Sequence, residues 1–170
     1  PRTTPRARVS LRPSAGSAGA VRPAAWRKAW RDALNADGAS LDKTGEPELR
    51  AAIAEHLRLA RGIQVDPAHV VVTGGSREGL QLILYTLGSG LRVGVEDPGH
   101  PGLRRVIPLS GHEVVPCTTD PGGVVVGELS DRLNALLVTP SHLYPFGGAM
   151  SASRRSAPVS YTHLTLPTKA

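Results

Sequence analysis

Apolar residues first recur at helical spacing from Pro23 onward. Trp26, Trp30, Ala33 and Leu34 share one face, and Arg27, Lys28, Arg31 and Asp32 cover the other. This predicts a helix that opens on Pro23, ends near Asn35 to Gly38, and packs its tryptophans into a core. Leu49, Ile53, Leu57 and Ala60 repeat the pattern, between Pro47 in a first turn and Gly62 as a stop. The period then changes. Val70 to Thr73 are β-branched and mostly apolar, which predicts a strand buried in a parallel sheet. Gly74 and Gly75 turn the chain into a helix from Ser76 to Leu87, with Leu80, Ile83, Leu84 and Leu87 on one face. Arg92 to Glu96, Glu113 to Pro116 and Ala135 to Thr139 predict further strands. A helix or partial helix runs to Gly111, broken or ended by Pro108, and Ser151 begins another. Strands alternating with helices across short loops imply an α/β domain with a mostly parallel sheet.

In such sheets, ligands collect at the carboxyl ends of the strands. Three loops leave that edge: Thr73 to Arg77, Asp97 to His100, and Pro140 to Gly148. The first combines backbone N–H groups, a helix N-terminus, the Ser76 hydroxyl and the Arg77 guanidinium, a donor set suited to phosphate or carboxylate. A tight turn with no ligand fits the same residues. The spacing matches neither the Walker loop nor the dinucleotide glycine pattern. His100 in the second loop has a ring able to lie against a planar heterocycle; a solvent-exposed loop histidine is the plainer reading. Ser141 and His142 are adjacent and lack a nucleophile elbow, so they do not read as a catalytic pair.

Composition changes the picture little. The 170 residues suffice for one domain, 40% are hydrophobic and only 4% aromatic, so a core must be aliphatic. The net charge of +6 rests on 17 Arg and 3 Lys, and reads more readily as a solvated surface than as a nucleic-acid patch. A single cysteine, Cys117, excludes an internal disulfide, and no metal-ligand spacing is present. The absence of an apolar signal core or long apolar run suggests a cytoplasmic setting. Residues 1–22, rich in Pro, Arg, Ser, Ala and Gly, read as a linker or extended arm. Residues 23–158 read as the folded part. Val159 to Ala170 breaks the preceding pattern and reads as a translated sequencing-adaptor scar.

The stretches Val70-Val-Val-Thr-Gly-Gly-Ser-Arg-Glu-Gly-Leu80, Val95-Glu-Asp-Pro-Gly-His-Pro-Gly102, Val138-Thr-Pro-Ser-His-Leu-Tyr-Pro-Phe-Gly147 and Gly45-x-Pro-x-Leu-Arg together resemble class I/II aminotransferases. They are most similar to the aminotransferase-like domain of MocR-type regulators of the GntR family. The resemblance spans about Arg12 to Arg155. It implies an incomplete three-layer α/β/α sheet, part of the large domain of a fold-type I aminotransferase, with pyridoxal 5'-phosphate as cofactor. Gly75, Ser76 and Arg77 would surround the cofactor phosphate. His100 would stack on its ring, where the family more often has Tyr, and Tyr144 would lie near the ring hydroxyl, where many members have Asn.

The resemblance also implies a transcriptional regulator that is a homodimer at full length. It would bind DNA through a winged-helix domain upstream of Pro1 and respond to an amino acid or amine effector. The alternatives are a fragment of a stand-alone aminotransferase, which moves an amino group between an amino acid and a 2-oxo acid, and an inert fragment with an open sheet edge. Several family positions differ. Ser40 to Thr44 lacks the tyrosine that reaches a partner's phosphate, and Arg77 and Glu78 replace a glutamine pair. The sequence is expected to stop before the lysine that forms the Schiff base, so this polypeptide is expected to be unable to transaminate, with no catalytic residue of its own.

Overall fold

The structure is a computed structural model that describes residues 22–35 and 42–161, with side chains up to Ser156. Residues 1–21 of the expected arm, the region around Ser40 and the last nine residues of the expected scar therefore lie outside the described residues. The chain divides into two compact units, split between Val70 and Val71.

The first unit holds α1 (Pro23–Asn35) and α2 (Pro47–Arg61). Both start on a proline, which costs nothing where the N–H would lack a partner anyway. Helix α2 ends as expected at Gly62, whose φ of 67° is left-handed; the Gly62 and Ile63 N–H groups close on Arg58 and Leu57. The half-buried seam of α2 runs through Ile53, Ala54 and Leu57, while Leu49 and Ala60, expected in it, are exposed. Arg50 ties the preceding turn down, donating to Asp42 Oδ2 (2.8 Å), the Gly45 carbonyl (3.1 Å) and the Pro67 carbonyl (3.1 Å). The expectation for α1 fails. Trp26 and Trp30 are each 55% exposed and pack edge-to-face on one another, with centroids 6.0 Å apart. Periodicity gave the helix correctly but cannot say whether a core faces it.

The second unit is a four-stranded sheet in the order β3-β2-β1-β4. It comprises β1 (Arg92–Asp97), β2 (Glu113–Asp120), β3 (Gly123–Val124) and β4 (Ala135–Leu137). Strand β1 is parallel to both β2 and β4, pairing Val95 with Pro116 and with Leu137; β3 returns antiparallel to β2. The α/β, mostly parallel expectation holds. Helix α3 (Ser76–Leu87) matches its expected bounds. The next helical stretch is two short pieces, α4 (Pro101–Arg104) and α5 (Val106–Leu109), broken at Arg105; Pro108 lies inside α5.

Val70 to Thr73 is the main departure. It belongs to no strand and has no ladder partner among the described residues; Val70 is extended, and Val71 is 53% exposed. Its β-branched residues favour extended backbone, but a strand also needs a neighbour to receive its N–H and C=O groups.

Central strand β1 is buried on both faces. Val93 and Val95 pack with Leu84, Val106 and Ile107 from α3 and α5. On the opposite face Cys117, Val124 and Met150 form a second cluster, against which Val126, Leu129 and Leu133 pack. Gly94 allows that packing: a Cβ there would lie 2.8 Å from Leu133 Cδ1 and 2.9 Å from Leu136 Cδ1. Each fully buried Leu, Ile or Val contributes about 1.5–3 kcal/mol. Helix α6 (Ala152–Tyr161) follows, with Ser151 accepting from the Arg154 N–H at its start, as the sequence predicts. Arg154 also bonds Asp120 at the end of β2.

Candidate functional site

Parallel pairing of β1 with β2 and β4 sets the carboxyl ends of these strands along one edge, and the loops that leave β1 and β4 begin there. The N-terminus of α3 adjoins them. Its N-cap is Gly75, whose φ of 147° lies in the region glycine tolerates, and a Cβ there would meet nothing within 4 Å. The first N–H groups of this 12-residue helix have no partners within the helix and face a shallow cleft lined by Gly74 to Glu78. One feature was not anticipated: the Glu78 carboxylate curls back and accepts from the Gly74 N–H. An anionic group of the chain thus already occupies part of the cradle.

Arg77 links the first loop to the second. A Cβ on Gly102 would lie 2.9 Å from Arg77 Nη2 and 3.0 Å from His100 Cε1, so the guanidinium and the imidazole are neighbours across Gly102. A cleft beside them, lined by Arg77, Pro101, Gly102 and Arg105, adds a second guanidinium. Two guanidinium groups and exposed helix N–H groups favour an anion with several oxygens.

His100 is held by its own turn. Its Nδ1 accepts from the Leu103 N–H at 3.3 Å, capping α4, so the neutral ring carries its proton on Nε2. Tyr144 of the third loop abuts it, with centroids 5.7 Å apart and planes 57° apart. The third loop is anchored by Leu143, which is fully buried beside Tyr144, and its ends are joined by the Met150 N–H donating to the Pro140 carbonyl at 2.8 Å. Of the five sequence-predicted residues, Arg77 and His100 both border Gly102, and His100 abuts Tyr144. Gly75 and Ser76 stand at the head of α3, next to Arg77 in the chain.

The sequence reading missed Glu96. It lies in β1 and is only 3% exposed, a charged residue where the strand should be apolar. Its Oε2 accepts from both the Thr139 N–H (3.1 Å) and the Thr139 hydroxyl (2.6 Å). Its Oε1 is buried with no partner. The signal was present in the sequence: a glutamate directly after Val93-Gly-Val95 breaks the apolar run at the edge where ligands bind.

Comparison with known proteins fits this geometry. The family model described as aminotransferase class I and II matches residues 14–137. The pyridoxine biosynthesis transcriptional regulator PdxR of Corynebacterium glutamicum, described as HTH-type, is 44% identical over 160 residues, covering 94% of this chain and 35% of that protein. The valine–pyruvate aminotransferase of Mycobacterium tuberculosis is 36% identical over 137 residues, covering 76% of this chain and 35% of the enzyme. A crystal structure of an aminotransferase from Mycobacterium tuberculosis superposes with a TM-score of 0.71 at 31% identity, over 89% of this chain and 42% of that one. The chain thus spans about a third of the length of these two curated relatives.

Proposed function

This chain belongs to the aminotransferase class I and II family, and from that premise we propose that it is the pyridoxal-phosphate-binding part of an aminotransferase-like domain in a MocR/GntR-type transcriptional regulator. The observation that carries the reading is the meeting of Arg77, His100 and Tyr144 at the carboxyl edge of the sheet. The residues fit the phosphate and ring of the cofactor. Gly75 leaves open space at a helix N-terminus, and Ser76 and Arg77 supply donors. His100 offers a ring face, and Tyr144 a phenol hydroxyl at the ring's edge. Bound there, pyridoxal phosphate supplies an aldehyde that captures amines and draws electrons from them. The chain's own residues bind and orient. Arg77 holds the phosphate by charge-assisted bonds, and the ring pair shields one face of the cofactor from water. No lysine occurs between residues 44 and 168, so none of the described residues of the second unit offers a covalent anchor.

The regulator reading rests on the 44% identity to PdxR and on further similarity to proteins described as HTH-type regulators, including TauR of Rhodobacter capsulatus. It entails a homodimer, DNA contact through a winged-helix domain outside this chain, and an amine or amino acid effector. The likeness to valine–pyruvate aminotransferase supports the second reading, a stand-alone enzyme. Calorimetric titration of the full chain tests the binding step. Pyridoxal 5'-phosphate should bind more tightly than pyridoxal, and Arg77→Ala should weaken it about tenfold. Equal affinity for the two compounds would remove the phosphate cradle from the argument.

A further inference from the structure

We propose that Arg155 of α6 is a positioning residue for the ring-contacting surface: its guanidinium clasps the two ends of the third loop and so holds Tyr144 against His100. This role rests on the reading of His100 and Tyr144 as the residues that meet the cofactor ring.

The third loop leaves the sheet at Thr139, which Glu96 of β1 holds through two bonds to one carboxylate oxygen. It returns at Met150, whose side chain is buried with Cys117 and Val124. At the neck between these points the Met150 N–H donates to the Pro140 carbonyl at 2.8 Å. The opposite bond is barred, because Pro140 has no N–H to offer the Met150 carbonyl. Arg155 supplies the missing donor. Its Nε–H donates to the Met150 carbonyl at 2.8 Å, and its Nη2 donates to the Pro140 carbonyl at 3.0 Å. One planar side chain therefore bonds both sides of the neck at once. Among the described residues no carboxylate pairs with Arg155, so its donors serve the loop and not a counter-charge.

Beyond the neck the loop has bonds of its own. The Leu143 N–H donates to the Gly148 carbonyl at 2.9 Å, and the Gly147 N–H donates to the Leu143 carbonyl at 2.6 Å, which encloses Tyr144 in a compact turn. Buried Leu143 anchors the outgoing limb of that turn. The returning limb, Gly147-Gly148-Ala149, carries almost no side chain to pack, so its course is set where it ends, at the clasped Met150. The ring that this turn presents lies with its centroid 5.7 Å from that of His100. The preceding residue has a different task. Arg154 bonds the Asp120 carboxylate and the Gly123 carbonyl (3.4 Å), neither of them in the loop. The two arginines thus separate the seating of α6 from the hold on the loop.

Magnetic resonance of the full chain with ¹³C-labelled tyrosine rings, joined to calorimetric titration, tests this role. The chain has three tyrosines, and Tyr144→Phe identifies the Tyr144 signal by its loss. In Arg155→Ala that signal should move towards the position of free tyrosine. Affinity for pyridoxal 5'-phosphate and for pyridoxal should fall alike, about three- to tenfold, because the loop meets the ring that both compounds share. Arg155→Lys keeps the charge but has no planar fork to span two carbonyls, and should lie between wild type and Arg155→Ala. Arg154→Ala frees α6 from the end of β2 without touching the neck, and should leave the Tyr144 signal in place. An unmoved signal in Arg155→Ala would overturn the proposal. So would an equal movement in Arg154→Ala, which would reduce the effect to the seating of the helix. If Arg155→Ala fails to fold, Arg155→Lys decides: a displaced Tyr144 signal supports the clasp, and a wild-type signal overturns it. If wild type binds neither compound, the proposed function fails, while the Tyr144 signal still reports whether Arg155 holds the loop.

Discussion

Glu78, Gly99 and Asp120 each make one bond or occupy one space that a single substitution would expose. Glu78 places a negative charge at the Gly74 N–H, just before the N-cap Gly75, so it competes with an anion for the head of the helix. Glu78→Gln keeps an acceptor and removes the charge. It should raise affinity for inorganic phosphate about three- to tenfold by calorimetry, and unchanged affinity would mean that the anion binds elsewhere. At Gly99 the obstacle to a methyl group is backbone, which cannot rotate away. Gly99→Ala should cost about 3 kcal/mol in urea unfolding, the range of a severe overpacking defect. The Asp120 carboxyl is held below its usual range chiefly by the Arg154 hydrogen bond, with the Gly122 N–H adding to it and burial opposing. A depressed folded-state value means that the bond stabilises above the ordinary carboxylate range and is lost as pH falls through the folded value. Acid should therefore release α6 from the end of β2. Asp120→Asn should flatten that acid limb when helix signal is followed against pH.

Among the elements, α3 shows how far a pattern reaches. The sequence marked Leu80, Ile83, Leu84 and Leu87 as one face, and the helix forms over those residues. Only Leu84 is fully buried and Leu80 partly so, while Ile83 and Leu87 are exposed. The apolar face of an amphipathic helix is wider than the contact any one neighbour makes with it. Leu84→Ala should cost about 2–5 kcal/mol, and Ile83→Gln should stay within about 0.5 kcal/mol, both by chemical denaturation. Comparable losses at the two positions would mean that Ile83 has a partner outside the described residues. Strand β1 was legible because Val93 and Val95 are β-branched apolar residues in a short run between a turn and a loop. The Val70 to Thr73 segment read just as clearly, yet it forms no ladder among the described residues, because pairing depends on a neighbour and not on the strand itself.

In the molecule as a whole, burial is uneven. Among the described residues the buried apolar side chains of the second unit include Leu84, Val93, Ile107, Leu143 and Met150, whereas the first unit has Ala54 alone. Hydrogen exchange should be slowest in β1 and its neighbours β2 and β4, and fast in α1, whose described side chains are all exposed. Tryptophan fluorescence reports on that difference directly. Both tryptophans lie in α1, so emission should be red-shifted and readily quenched by iodide in the folded chain. The three loops and the parallel sheet were legible, because each follows from local rules: glycine at a turn and β-branching in strands. Sequence alone thus determined most of the helices, the central strand and which loops leave the carboxyl edge of the sheet. Only the tertiary structure decided that Arg77 and His100 both border Gly102, that Glu78 turns back on Gly74, that the tryptophans stay exposed, and that Glu96 lies buried with one oxygen unpaired. Those outcomes depend on which distant residues come into contact, and no local period encodes that.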